Sequence, residues 1–148
     1  MQVKRFAGAV VAAGLMLLVA PRPVSAHHAF AAEFDEKKPI HFPEATVTKV
    51  ELINPHSWIH VDVKQPDGTV ENWAIEAGSP NILMRRGITR DTLKVGTKIV
   101  VDGYQSKDGS HRANGRDLTL ANGQKLFLGS SGDGAPYEVQ RPGVDTQK

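Results

Sequence analysis

Ser57-Trp58-Ile59-His60-Val61-Asp62-Val63-Lys64, residues 57–64, alternates strictly from Ile59 onward between aliphatic and polar side chains. That period of two places Ile59, Val61 and Val63 on one face of a strand and Trp58, His60, Asp62 and Lys64 on the other. Pro66-Asp67-Gly68-Thr69 follows as a turn, and residues 70–77 alternate again. The two strands form a hairpin if Ile59, Val61 and Val63 share a core face with Trp73, Ile75 and Ala77. A three-residue loop, Asp67-Gly68-Thr69, achieves this by pairing Val63 with Trp73 and Val61 with Ile75. The same register sets His60 opposite Glu76 on the outer face, with Trp58 beside them.

Outward from this hairpin the strand signals continue. Residues 45–53 are rich in β-branched side chains and alternate. Residues 98–104 read as a fourth strand, closed by the turn Lys107-Asp108-Gly109-Ser110. Residues 116–120 and 125–128 form a last hairpin around Asn122-Gly123. One helix interrupts the series after the third strand. Ser79 is its expected cap and Pro80 suits its first turn. Ile82, Leu83 and Met84 make its apolar side, and Gly87 stops it. Three strands, a short helix and two or three further strands is the order of a small OB-like barrel, mainly β, of five to six strands. A different small barrel or a sandwich fits the same order, because strand order alone does not determine closure.

The ends of the chain read differently. Lys4 and Arg5 precede an uncharged apolar run, residues 6–20, and Pro21-Arg22-Pro23 breaks it. Val24 and Ala26 supply the small side chains a signal peptidase reads, so cleavage is expected after Ala26. The run of 15 residues is short of the ~20 needed to cross a bilayer. The expected organisation is a signal peptide at 1–26, an N-terminal arm at 27–37, a barrel domain at 38–128 and a flexible Gly/Ser-rich tail at 129–148. The expected location is periplasmic, without membrane insertion after cleavage. Of 18 basic and 16 acidic residues, Lys4, Arg5 and Arg22 leave with the signal peptide, so 15 and 16 remain and the mature charge is −1. That balance, with no basic groove, argues against nucleic acid. The chain has no cysteine, which removes disulfides, thiolate metal sites and cysteine nucleophiles.

Cleavage after Ala26 gives the chain its sharpest chemistry. The mature protein then begins His27-His28, and a terminal histidine carries an amine and an imidazole on one residue. Such a pair chelates Cu(II), which favours tetragonal nitrogen ligation. Five of the six histidines fall between His27 and His60. A copper(II) site is therefore expected at His27 and His28, completed by His56 or His60, with His41 a further possibility, if the arm folds back. Glu76 would act as the acceptor that orients His60, and Trp58 would share the ligand face. No nucleophile elbow, phosphate loop, dinucleotide loop or H-E-x-x-H helix occurs, so no enzyme is expected. The alternative is a metal-free interaction module of the cell envelope. It would hold a protein, glycan or small ligand on the outer face of strands two and three through Trp58 and His60.

Several segments together carry a family resemblance: His27-His28-Ala29-Phe30-Ala31-Ala32-Glu33-Phe34-Asp35, Asn54-Pro55-His56-Ser57, Trp73 with Glu76, Gly78-Ser79-Pro80 and Leu83-Met84-Arg85-Arg86-Gly87. The chain resembles the small exported bacterial proteins classed as domain of unknown function 6152, over nearly the whole mature chain to about residue 128. The resemblance implies a periplasmic location and one small β domain, and it implies no activity. Two of the shared segments contain the candidate ligands His27, His28 and His56.

Overall fold

The structure is a computed structural model and describes residues 30–130 and 133–139. The expected signal peptide, its cleavage after Ala26, and His27 and His28 lie outside the described residues.

The order of elements is α1 (Phe30–Glu33), β1 (Phe34–Glu51), β2 (Ser57–Lys64), β3 (Val70–Ala77), α2 (Pro80–Arg85), β4 (Lys98–Ser106), β5 (Arg112–Leu120), β6 (Lys125–Phe127) and α3 (Pro136–Val139). Within the sheet, β3, β2, β1, β4, β5 and β6 lie side by side, and β3 also pairs with β5. The β3–β5 pairing is parallel and closes the first five strands into a ring; the other pairings are antiparallel. The expected OB-like barrel, with one short helix between the third and fourth strands, is the observed architecture.

The barrel is filled by the apolar faces that the alternation marked. Ile59, Val61 and Val63 meet Trp73, Ile75 and Ala77, with Val47, Ile99, Val101 and Leu118 completing the layer. Leu83 on α2, together with Ile88 and Leu93, is buried in the same core, so the helix and the turn after it plug the barrel. Ser79 stands at the N-cap with extended backbone, but its side chain makes no capping bond. The expected cap is thus positional only, and α2 is held by Leu83 rather than by its terminus. Gly87, at φ +83°, ends the helix as expected.

Two differences from the sequence reading matter for the site. First, the hairpin register is Val61 with Trp73, Trp58 with Glu76, His60 with Ala74 and Asp62 with Asn72. His60 therefore does not face Glu76. The three-residue loop is real but sits one position earlier, as Pro66-Asp67-Gly68 between the bonded pair Gln65 and Thr69. Pro66 suits the first corner of that turn, and Gly68 takes the left-handed position at φ +87°. Moving the loop by one shifts the pairing by two, which keeps every side chain on its face.

Second, residues at both ends of the described chain pack against the barrel. β1 begins at Phe34 and runs 18 residues. It bends where its register shifts, between Phe34 and Pro39 and between Phe42 and Ala45, so Pro39 and Pro43 lie at or within the irregularities. At the other end, where a flexible tail was expected from residue 129, Asp133, Ala135 and Tyr137 are buried. Phe30, Phe34, Tyr104, Ala135 and Tyr137 form a second apolar cluster, with Phe127 packed against it. Phe30 meets Tyr104 edge-on at 5.5 Å, and Phe127 meets Tyr137 edge-on at 5.2 Å. The start of the described chain and the 133–139 segment are thereby pinned to the barrel and to each other. The amide of Phe30 donates to the carbonyl of Asp133 at 2.7 Å.

Candidate functional site

The site forms where three strands lay one row of side chains across the outer surface. Trp58 on β2 pairs with Glu76 on β3, and Glu76 pairs with Asn114 on β5. Each flanks a core residue, Ile59, Ile75 and Ala113 respectively, so alternation turns all three outward. The pinned ends then cover part of this row. Glu33, the last residue of α1, accepts from the Arg112 guanidinium at 3.3 Å, and that guanidinium lies 5.2 Å from the Trp58 ring centroid. From the C-terminal side, the Tyr137 hydroxyl lies 3.0 Å from both Asn114 Oδ1 and Asp133 Oδ2. Its one hydrogen is shared between the two acceptors. Asn114 in turn bonds Glu76 through its side chain.

His56 stands at the entrance to β2, beside this row. Its Nδ1 is 3.8 Å from Glu76 Oε1, and both side chains are only 13% exposed. That separation suits a Coulomb contact but is too long for a hydrogen bond. Both ring nitrogens of His56 and the hydroxyl of Ser57 are buried, with no hydrogen-bond partner among the described residues. Buried polar atoms are nearly always paired, because leaving one unpaired costs about 1–3 kcal/mol. Glu76 is under complementary stress. Burial pushes its carboxyl up to about 7, and the charges of Glu33 and Asp133 push in the same direction. Arg112 and Asn114 oppose this without cancelling it. Among the described residues the acids of this cluster, Glu33, Glu76 and Asp133, outnumber its one cation, Arg112, and the His56 imidazole stands beside them.

The other histidines are committed elsewhere. His60 bonds Glu51 through Nε2 at 2.7 Å, and Glu51 also meets Lys49 at 2.6 Å. Lys49 first, and His60 second, hold the Glu51 carboxyl below its usual range. His41 pairs with Asp102 at 2.7 Å, and His111 stacks on Trp73 with centroids 4.8 Å apart. Of the residues singled out in the sequence, the fold brings together His56 and Glu76, with Trp58 in the adjoining row. It does not join His60 to Glu76. His27 and His28 are outside the described residues. Among the described residues, no group of three or more His, Cys, Asp or Glu has metal-holding geometry by itself.

Glu33, Arg112, Asn114, Asp133 and Tyr137 escaped the sequence reading. Arg112 and Asn114 are among the first three residues of β5, which begins four residues before the expected strand. Their alternation with Ala113 was the available signal. Asp133 and Tyr137 sit in a Gly-rich stretch whose composition gives no periodicity to read. A test of this network is Tyr137→Phe, which strips a buried hydroxyl from two acceptors. It is expected to cost about 1–2 kcal/mol in a denaturant titration. A loss near zero would mean that Tyr137 serves by packing alone.

Neither curated proteins nor solved structures yield a match to the chain. The model of a family of unknown function, DUF6152, matches residues 15–115. That span runs from the apolar N-terminal stretch to β5 and takes in His27, His28, His56, Trp58, Glu76 and Asn114. It covers more than half of the chain, and the protein accordingly belongs to the DUF6152 family of unknown function.

Proposed function

We propose that this protein is an exported, periplasmic copper-binding protein, its metal held by the mature N-terminal histidines and His56. The observation that carries the reading is the state of His56: two buried ring nitrogens with no hydrogen-bond partner among the described residues, beside a carboxyl that burial and two neighbouring acids hold toward neutrality. A divalent cation there gains an imidazole nitrogen and offsets the crowding of Glu33, Glu76 and Asp133. The anchoring of Phe30 to Asp133 supports a ligand role for the terminus. Phe30 is two residues beyond His28 and three beyond His27, a span of at most about 7 and 11 Å of extended chain.

In this reading the His27 amine and ring, the His28 ring and the His56 ring form a nitrogen set suited to Cu(II). Glu76 stands beside the His56 ring as a counter-charge at 3.8 Å, where the sequence reading had set it as the acceptor for His60. His60 is left out, since Glu51 already engages it. The reading assigns the site to binding and gives it no catalytic step.

The test uses mature protein beginning at His27, titrated with Cu(II) and read by electron paramagnetic resonance. Nitrogen hyperfine splitting is expected. His56→Ala should weaken binding roughly tenfold and remove one nitrogen from the signal, while His60→Ala should change neither. Unchanged affinity in a chain with one extra residue ahead of His27 would overturn the amine ligand. Fractionation, with the terminus weighed by mass spectrometry, tests export and the cut after Ala26.

One observation favours a second reading, the metal-free envelope module. Trp58 remains half-buried on the outer face, with the Arg112 guanidinium against its ring. An indole backed by a cation is a ready platform for a protein, glycan or small ligand. This reading requires Trp58→Ala to abolish partner capture while Cu(II) has no effect on it.

A further inference from the structure

Away from that site, a groove of about 530 Å³ runs between the end of β1 and the loop that leads into β4. Its floor includes Leu52, which packs on the barrel core, and Leu93, which is buried in it. Ile53 rises on the strand side and Val95 on the loop side, 52% and 74% exposed. Two apolar side chains held this far into water across one trough are unusual for a surface that meets only solvent. The loop side is anchored: Gly96 donates to the carbonyl of Val47, and Val47 donates to that of Thr97.

The charges around the groove are lopsided. Lys49 and Glu51 neutralise each other at 2.6 Å, and Glu51 is further engaged by His60. Arg90 and Lys94 also line the groove, and neither has an ion-pair partner among the described residues. The lining thus presents a hydrocarbon surface with two uncommitted cations at its edge. We infer that the groove binds a single-chain anionic amphiphile, an alkyl carboxylate whose head meets Arg90 and Lys94 and whose chain lies on Leu52 and Leu93 between Ile53 and Val95. Its volume falls within the range of about 300–1,000 Å³ usual for small-ligand sites.

The probe is decanoate, kept monomeric, added to the mature full-length protein and followed by amide chemical shifts and calorimetry. Shifts should concentrate at residues 49–53 and 90–95. The double variant R90A/K94A should bind roughly tenfold more weakly with an unchanged thermal midpoint, since both side chains are exposed. Val95→Ser should weaken binding about threefold, as one exposed aliphatic contact is lost. Decyltrimethylammonium, which has the same chain and the opposite charge, should fail to bind. Equal binding of the cationic probe, unchanged affinity in R90A/K94A, absence of decanoate binding, or shifts appearing only with phosphatidylglycerol vesicles would each overturn the assignment.

Discussion

Gly103→Ala is expected to lower stability by about 3 kcal/mol or more and the thermal midpoint by about 10–20 °C. Gly103 sits at the register shift in β4, opposite Gly115 on β5. A Cβ built there would overlap the carbonyl oxygen of Asn114 and lie 3.1 Å from its carbon. These are backbone atoms, and no rotamer change relieves the overlap. The methyl must part β4 from β5, and β5 is the strand that closes the ring against β3. Asn114 would move with the backbone, and it bonds Glu76 on one side and Tyr137 on the other. The damage should therefore reach the candidate site as well as the fold. Gly68→Ala is the informative control. It meets nothing within 4 Å but holds φ at +87°, so only the conformational penalty of about 1 kcal/mol applies. Circular dichroism melts of the two variants separate close approach from backbone strain. A Gly103→Ala midpoint within a few degrees of the parent would refute the overlap.

Glu76→Gln is expected to stabilise the metal-free protein at pH 8 by about 2–3 kcal/mol and to leave it unchanged near pH 4. The folded carboxyl titrates at about 7 against 4.5 for an ordinary glutamate. A raised acid pKa means that the folded state holds its proton while the unfolded state has already lost it. Stability from this group is therefore intact below about 4.5, falls as pH rises toward 7, and is lost in full above that. Each unit of pKa difference corresponds to about 1.36 kcal/mol, which sets the size of the effect. Glutamine removes the charge and keeps an acceptor for Asn114. Denaturant midpoints of parent and variant from pH 4 to pH 8 should diverge upward through that window. If the proposed Cu(II) site holds, added Cu(II) should erase the advantage, because a cation beside His56 favours the ionised carboxylate. A constant difference across the pH range would mean that Glu76 is not forced toward its neutral form.

Much of the barrel was legible because period-two alternation reports burial directly. Ile59, Val61 and Val63, like Trp73, Ile75 and Ala77, occupy the core face their pattern announced. The short helix was legible from Pro80, the apolar Leu83 and the stop at Gly87. The first half of β1 was not. Lys37, Lys38, Pro39 and Pro43 break the alternation, and the segment is a strand because β4 pairs with it from Phe34 onward. The 133–139 segment carries no pattern either; it is ordered because Ala135 and Tyr137 find Phe30, Phe34 and Tyr104, residues remote in sequence.

The candidate site divides along the same line. His56, Glu76 and Trp58 were visible as residue types in suggestive places, and their outward orientation followed from parity. Which of them meet was not visible. A slip of two residues between β2 and β3 leaves every side chain on its face, so the apolar pattern cannot distinguish the two registers. Local turn chemistry broke the tie, with Pro66 at the corner and Gly68 in the left-handed position. That slip moved Glu76 from His60 to Trp58. Ring closure then brought Asn114 beside Glu76, and the anchored ends brought Glu33, Asp133 and Tyr137. The sequence by itself determined the strand faces, the position of the helix and the residues able to bind a cation. The tertiary structure alone decided that His56 and Glu76 lie together, partly buried, in a cluster whose acids outnumber the Arg112 cation. The physical reason is that local periodicity encodes which side of a strand is dry, whereas partners across strands are selected by turns and closure, which act between residues far apart in the chain.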